Sequence, residues 1–156
     1  FHPAYYYEPF ELPGRRMNTS RGWEIFPRII YDMAMRIKND YRNIDWFVAE
    51  SGMGVENEAQ FRNRDGIIDD AYRIAFISEH LYYTLLAREA GANCHGYMLW
   101  AFTDNVSPMN AFKNRYGLIE IDLENQRARR AKKSASWFRQ LRDERVLTLR
   151  VDDEWK

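Results

Sequence analysis

Two short apolar stretches, residues 45–50 and 94–100, constrain the fold of this chain more than any other feature of its sequence. Each follows a segment with the periodicity of an amphipathic helix, residues 27–41 before the first stretch and residues 69–91 before the second. A helix of that length between two short strands can connect strands that run parallel. The pattern therefore predicts α/β organisation.

The apolar side of each predicted helix is formed by residues three and four positions apart. These residues are Ile30, Met33, Ile37 and Tyr41 in the first helix, and Ile74, Ile77, Leu81 and Leu85 in the second. Pro27 suits the start of the first helix. Asp69 and Asp70 suit the N-terminus of the second, and Gly91 suits its C-terminus.

The rest of the chain adds weaker signals. Residues 1–22 predict an extended loop, residues 54–68 a polar loop, residues 116–123 a strand with turn residues after it, and residues 132–142 a third helix. Two or three strands make a poor sheet alone, because parallel strands need neighbours on both sides and helical cover. We therefore expect the chain to be part of a barrel or a wound sheet.

Composition and charge exclude several classes of protein. Lys plus Arg and Asp plus Glu both number 23 in the 156 residues, so the whole chain lacks the positive charge that nucleic acids or an anionic membrane surface would attract. No apolar run reaches the roughly 18 residues of a membrane span. The single cysteine, Cys94, predicts a buried thiol and a reducing compartment. The start at Phe1, without an initiator Met, is expected of the interior of a longer protein.

Glu50 is the sharpest candidate for chemistry. It directly follows apolar residues and precedes Ser51 and Gly52, so it lies at the C-terminal end of a predicted strand. Barrel active sites are built at that end of the strands. Position alone leaves open the alternative that Glu50 caps a loop or pairs with an arginine.

Trp100 ends the next strand as Glu50 ends the previous one, so both can face one cavity, although an apolar-strand tryptophan is more often part of a core. The loop that follows carries Ser107, Lys113, Asn114, Arg115 and Tyr116, whose hydroxyls, amide and cations together suit a phosphate. A solvated basic loop is the alternative. His2, His80 and His95 share no metal-ligand spacing, and we interpret His80 as a structural histidine.

Several of these stretches resemble family-one glycoside hydrolases, the group of β-glucosidases and 6-phospho-β-glucosidases. The similar stretches are residues 21–27 (RGWEIFP), 47–52 (FVAESG), 69–74 (DDAYRI), 80–81 (HL), 96–105 (GYMLWAFTDN), 114–118 (NRYGL) and 132–138 (KKSASWF). The resemblance extends over nearly the whole chain in the family's order. It implies the C-terminal part of a (β/α)8 barrel, with residues 1–156 forming one segment of a single domain whose N-terminal part is absent.

The resemblance also implies a mechanism. Glu50 corresponds to the family's nucleophile, which attacks the anomeric carbon with retention, while the stretch that carries the family's acid/base is absent from this chain. We therefore expect the isolated chain to be inactive. Ser51 stands where the family has Asn and Ala49 where it has Thr, and both changes bear on activity. No metal or organic cofactor is implied, since carboxylates suffice for glycoside cleavage.

Substrate choice rests on the loop after Trp100. Ordinary β-glucosidases of the family carry Glu-Trp where this chain has Ser107 and Pro108, and a Glu there would repel a 6-phosphate that a Ser can bind. The resemblance thus predicts a cytoplasmic 6-phospho-β-glucosidase that binds its sugar on Trp100. The predicted phosphate ligands are Ser107, Lys113 and Tyr116, with Asn114 in reserve because the lysine register is open.

Two other functions stay open. The first is a β-glucosidase that acts on unphosphorylated sugars. The second is a non-catalytic carbohydrate-binding or structural half-barrel. In either case we expect the exposed strand edges to bind the missing N-terminal part of the same enzyme or to drive self-association.

Overall fold

The structure is a computed structural model that describes residues 12–149. Its helices are α1 (Ile29–Asp40), α2 (Ala71–Glu89) and α3 (Lys133–Glu144), with a short 3-10 helix at Glu58–Phe61. Its strands are β1 (Met17–Asn18), β2 (Trp23–Glu24), β3 (Trp46–Ser51), β4 (Val55–Glu56), β5 (Cys94–Leu99), β6 (Asn114–Arg115), β7 (Ile119–Asp122) and β8 (Ala128–Ala131). His2 and the first half of the predicted N-terminal loop, residues 1–11, lie outside the described residues.

The predicted α/β organisation is confirmed. Strands β3 and β5 pair in parallel, with Trp46 opposite Cys94 and Ser51 opposite Leu99, and α2 connects them. Helix α2 packs against α1, β5 and α3. The described chain is therefore a β-α-β unit in which the connecting helix α2 also contacts α1 and α3. Three antiparallel pairs are added to this unit: β1 with β2, β4 with β6, and β7 with β8.

The predicted apolar face of α1 is wrong by about one position. Met33 and Tyr41 are exposed, whereas Ala34 is completely buried. Ala34 packs with Ala87 of α2 and with Ala92. The small side chains let the two helices approach closely, so the contact centres on alanines; Met33 and Tyr41 of the predicted face turn outward, while Ile30 and Ile37 are half-buried.

The prediction of buried strands is also wrong for one side of the sheet. Phe47 is 55% exposed and Met98 is 52% exposed, although both lie within apolar strands. Among residues 12–149, β3 and β5 pair only with each other, so their inner side has no covering layer. The opposite side packs on helices, where Trp46 contacts the alanine cluster.

The ends of α2 follow the sequence signals only partly. Asp70 stands at the N-cap position and Gly91 has a φ of +86° just beyond the helix. The Asp70 carboxylate, however, caps no helical amide of α2. It instead accepts hydrogen bonds from the backbone amide and hydroxyl of Ser134 at 2.8 and 2.6 Å, which ties α2 to α3. Ile74 and Ile77 are buried, as predicted, while Leu85 is exposed.

A predicted loop and a predicted strand differ in the structure from what their sequences indicate. The loop over residues 54–68 holds β4 and the 3-10 helix, and β4 pairs with β6 through Val55 opposite Arg115. The predicted strand over residues 116–123 shortens to β7, and its turn leads into β8. Short antiparallel pairs of this kind have too few residues to display a period.

Candidate active site

Glu50 lies at the exposed end of β3, beside an irregularity in the pairing with β5. Val48 is opposite Tyr97 and Ser51 is opposite Leu99, so β3 uses three residues where β5 uses two. Ala49 and Glu50 are consequently both exposed in succession, which strict strand alternation would not allow. This bulge leaves the Glu50 carboxylate exposed at the end of the strand.

A cleft of about 450 Å³ brings four of the predicted site residues together. It is lined by Trp23, Glu50, Ser51, Gly52, Phe76, Trp100, Asn105, Val106, Ser107, Pro108 and Tyr116. Of the six predicted site residues, Glu50, Trp100, Ser107 and Tyr116 line this cleft, whereas Lys113 and Asn114 do not. Glu50 is the one carboxylate among the described residues of the lining.

The Glu50 carboxylate has no partner among residues 12–149. No hydrogen bond or ion pair to its side chain is found in that part of the chain. The alternative that Glu50 pairs with an arginine is therefore wrong for the described residues. A carboxylate that is exposed in a cleft and unbonded is free to contact a ligand.

Close backbone contact holds the ends of β3 and β5 together. The Trp100 amide donates to the Ser51 carbonyl at 2.8 Å. A β-carbon added to Gly52 would lie 1.6 Å from the Trp100 carbonyl oxygen, so only glycine fits there. The contact fixes Glu50 and Trp100 on adjacent strand ends, as the sequence predicted.

Ser51 also holds the two strands together. The Tyr97 hydroxyl donates to Ser51 Oγ at 2.8 Å. Burial raises the pKa of Tyr97 to about 12, although the bond to Ser51 opposes this rise. Ser51, where the resembling family has Asn, therefore acts as a cross-strand acceptor beside Glu50.

Tyr116 forms the wall of the cleft opposite β5. Its ring packs so tightly on Gly54 that an added β-carbon would lie 2.3 Å from a ring carbon. The Tyr116 hydroxyl makes no hydrogen bond within residues 12–149. Ser107 lies across the cleft in a small loop closed by hydrogen bonds of 2.9 and 2.8 Å between the backbones of Ser107 and Ala111.

Lys113 and Asn114 lie behind the cleft. The Lys113 ammonium is 3.1 Å from a Glu56 carboxylate oxygen, and its side chain is 65% exposed. Asn114 is buried; its side-chain oxygen accepts a hydrogen bond from Asn110, and its side-chain amide donates to the Ser20 carbonyl at 3.4 Å. The structure therefore separates the two hydroxyl candidates for a phosphate site from the lysine and the amide.

A buried charge cluster, which the sequence analysis did not predict, lies beneath the cleft. It consists of Glu58, Asp70, Arg73, Asp104 and Lys132, all of them buried. Lys132 Nζ bonds to Glu58 and lies 2.9 Å from Asp104. Arg73 bonds to Glu58 and donates to Asp70 at 3.0 Å. Each charge is thus paired with an opposite charge, as burial requires.

Arg73 connects this cluster to the walls of the cleft. It donates to the carbonyls of Tyr116 at 3.0 Å and Arg115 at 3.2 Å, and also to the carbonyl of Met53. Burial alone would lower the pKa of Arg73, but the Glu58 and Asp70 carboxylates raise it above its ordinary value. The charged guanidinium therefore holds the segment after Glu50 and the segment that carries Tyr116.

Cys94 and His80 are both buried. Cys94 is buried and free, as predicted. His80 is buried, one ring nitrogen lies 2.6 Å from the Phe76 carbonyl, and burial lowers the pKa of its imidazole. These contacts agree with a structural histidine. Within residues 12–149, no group of three or more His, Cys, Asp or Glu side chains has a metal-binding arrangement.

Hydropathy adds one finding about the helices. Among the described residues, no helix is both long and apolar enough to cross a lipid bilayer.

Comparisons with known proteins identify the relatives of this chain. The family model for glycosyl hydrolase family 1 matches residues 11–146. The chain is 48% identical over 141 residues to the 6-phospho-beta-glucosidase GmuD of Bacillus subtilis (strain 168), a match that covers 90% of this chain and 30% of that protein. It is 39% identical over 141 residues to a 6-phospho-beta-galactosidase of Clostridium acetobutylicum, covering 86% of this chain and 29% of that protein.

A solved structure from family 1 has a similar fold. A family 1 β-glucosidase from Thermotoga maritima superposes with a TM-score of 0.77 at 24% identity, covering 89% of this chain and 30% of that structure. The α/β chain is therefore part of a (β/α)8 barrel, as predicted. The chain spans about 30% of the length of the curated relatives named above.

Proposed function

The chain belongs to glycosyl hydrolase family 1, and we propose that the complete protein hydrolyses 6-phospho-β-glucosides with retention of configuration. One observation carries the proposal: Glu50, exposed and unpartnered among residues 12–149, shares a cleft with Trp100, Ser107 and Tyr116. A nucleophile, an indole platform and two hydroxyl donors are the groups that this reaction needs on one side of a sugar.

In the proposed mechanism, a Glu50 oxygen attacks the anomeric carbon while the leaving-group oxygen takes a proton from an acid. The bond to the aglycone breaks and a glycosyl-enzyme ester forms. The same acid/base then deprotonates a water, which cleaves the ester and restores the Glu50 carboxylate. In retaining enzymes the two carboxyl groups lie about 5 Å apart.

The second carboxyl group is not among the described residues that line the cleft, and we infer that it comes from another part of the barrel. Glu50 is the one carboxylate among the described residues that line the cleft. A single carboxylate cannot serve as nucleophile and acid in one step, so residues 1–156 alone are expected to be inactive. The partner that completes the site is the remainder of the same barrel, which would also cover the exposed inner side of β3 and β5.

We assign the substrate preference from the hydroxyl groups that line the cleft. Ser107 and Tyr116 offer hydroxyl groups there, and no second carboxylate in the described lining repels an anion. Lys113 and Asn114, the other two ligands predicted from the sequence, do not line the cleft. The two sequence relatives, a 6-phospho-beta-glucosidase and a 6-phospho-beta-galactosidase, agree with a phosphorylated sugar.

We assign the glucoside over the galactoside because the relative with the higher identity of the two is a glucosidase. We also assign the cytoplasm, because phosphorylated disaccharides arise on uptake and their charge keeps them inside the cell.

Two measurements on the complete protein test this function. Rates on an aryl β-glucoside and on its 6-phosphate should differ strongly in favour of the phosphate. Labelling with a 2-fluoro 6-phosphoglycoside, followed by peptide mapping, should place the label on Glu50. A label on another residue would overturn the nucleophile, and a preference for the unphosphorylated glucoside would leave a β-glucosidase.

A further inference from the structure

The cleft needs a positive charge that its lining does not supply. A phosphate monoester carries a charge of about −1.5 to −2 at neutral pH and is bound best where donors and cations meet. Among the described residues, the lining contains neither lysine nor arginine. Ser107 and Tyr116 can donate hydrogen bonds, but hydroxyls do not balance the charge.

The two cations closest in sequence to these hydroxyls already have partners. Lys113 lies 3.1 Å from Glu56 and is largely in solvent. Arg115 lies 3.7 Å from Asp104, donates to the Ile121 carbonyl at 3.3 Å and lies over the Phe112 ring. Neither residue lines the cleft.

Arg21 does not line the cleft either, but its guanidinium contacts a residue that does and is largely unbonded. Its guanidinium lies over the Trp23 ring, 4.3 Å from the centroid, and Trp23 is a wall of the cleft. Among residues 12–149 the guanidinium makes one hydrogen bond, a long one of 3.5 Å to the side-chain oxygen of Asn114. Its Nε is buried without a hydrogen-bond partner, and no carboxylate pairs with it in residues 12–149. Most of the five donors of this guanidinium are therefore unused.

Asn114 links Arg21 to the loop that carries Ser107. The oxygen that accepts from Arg21 also accepts from Asn110, which lies in that loop. Arg21 is thus held between the face of an indole that lines the cleft and an amide that bonds to the Ser107 loop. A guanidinium on an aromatic face keeps its edge free for bidentate bonds to an anion.

We propose that Arg21 is the cation that binds the 6-phosphate, together with Ser107 and Tyr116, and that Lys113 is not. Asn114 and Trp23 orient the guanidinium. This inference rests on the proposed function, since it assigns a specificity residue to the same reaction.

The test compares variants of the complete protein on an aryl β-glucoside and on its 6-phosphate. In Arg21→Met, kcat/KM for the phosphorylated substrate should fall by roughly 10- to 100-fold, the loss of one or two charge-assisted hydrogen bonds. The value for the unphosphorylated substrate should stay within about twofold. Arg64→Met, which removes an exposed loop arginine, is the matched control and should change neither value.

Other variants decide between competing explanations. Arg21→Lys keeps the charge but loses the planar fork, so a selective loss of about threefold to tenfold is expected even if Arg21→Met folds poorly. An equal loss on both substrates in Arg21→Lys would assign Arg21 a structural role and overturn the proposal. A selective loss in Lys113→Met that exceeds the loss in Arg21→Met would also overturn it.

The wild-type protein separates this proposal from the proposed function. If the wild type prefers the unphosphorylated glucoside, the phosphate specificity itself is wrong. If the wild type prefers the 6-phosphate and Arg21→Met keeps that preference, only the role of Arg21 is wrong. Inhibition by inorganic phosphate gives an independent measure, because its inhibition constant should rise in Arg21→Met and not in Arg64→Met.

Discussion

The cleft and the buried charge cluster are both built from polar side chains, but they use them in opposite ways. In the cluster, each of the five charged side chains is bonded to an opposite charge and shielded from water. In the cleft, Glu50 is unpartnered and the Tyr116 hydroxyl is unbonded within residues 12–149. The two regions meet at Arg73, which donates to the Tyr116 carbonyl.

The difference shows which polar groups hold the fold and which await a ligand. A buried polar group without a partner destabilises the fold, so the cluster is fully paired and its bonds end on backbone carbonyls around the cleft. Glu50 of the cleft is exposed and can stay unpaired at low cost, whereas Tyr116 is buried apart from the side that lines the cleft. Substitutions should therefore separate stability from activity.

The largest expected effect is on catalysis, from Glu50→Gln. In the complete protein, kcat should fall by at least about 10⁴-fold, because an amide cannot form the glycosyl-enzyme. The free energy of unfolding should change by less than about 0.5 kcal/mol, since the side chain is exposed and unbonded. Steady-state kinetics and urea unfolding measure the two quantities. Glu124→Gln, at an exposed turn, is the matched control, and equal activity in both variants would contradict the proposal.

The second effect is on stability, from Arg73→Met. Removing the guanidinium leaves the buried carboxylates of Glu58 and Asp70 short of a cation, which should lower the free energy of unfolding by about 3–5 kcal/mol. Arg36→Met removes an exposed pair in which Arg36 lies 3.6 Å from Asp40, and should cost less than about 1 kcal/mol. Urea unfolding of the complete protein compares them. Similar losses in both variants would show that the cluster does not hold the fold.

A smaller effect is expected from Tyr97→Phe, because Tyr97 belongs to the scaffold but bonds beside Glu50. Loss of the bond to Ser51 should cost about 1 kcal/mol of unfolding free energy. Wild-type stability should also fall as the pH rises from 10 toward 12, because the unfolded tyrosine loses its proton first, and the loss should be smaller in the variant, which keeps only the contribution of buried Tyr72. Chemical unfolding at a series of pH values tests both points. Tyr82→Phe, which removes a partly exposed hydroxyl, should keep the wild-type dependence.

The smallest effect concerns His80, a buried titratable group outside the charge cluster. Burial lowers the pKa of its imidazole below the ordinary value of 6.5, with Arg16 adding to the shift and Glu79 and the Phe76 carbonyl opposing it. The unfolded chain therefore binds the proton first, and stability should fall as the pH drops below 6.5 toward the lower folded pKa. His80→Gln should reduce the stability loss between pH 7.5 and 5.5 by less than about 1 kcal/mol. An identical loss in the variant would contradict this assignment.

The sequence predicted the helices, the two parallel strands and four of the cleft residues, because each depends on local patterns. Glu50 and Trp100 could be placed together because the carboxyl ends of adjacent parallel strands meet at one edge of a sheet. The bulge that turns Glu50 into the cleft was not predicted, since it depends on how β3 and β5 pair.

The buried charge cluster could not be found by periodicity. Glu58, Asp104 and Lys132 are far apart in the sequence, and charged residues are usually exposed, so each one alone indicated a surface position. Asp70 and Arg73 were noticed only as a helix start and part of a family motif. The ion pair of Lys113 with Glu56 could not be predicted either, because the pairing of β4 with β6 that brings the two residues together is only two residues long.

The segment between Asp104 and Asn114 has buried, anchored ends and exposed positions between them. Asp104 is fixed by Lys132 and by the Gly117 amide at 2.9 Å, and Asn114 is buried among neighbouring amides and carbonyls. Between them, Val106 and Met109 face solvent. Substitutions at these two exposed positions should therefore be tolerated more readily than substitutions at either anchored end.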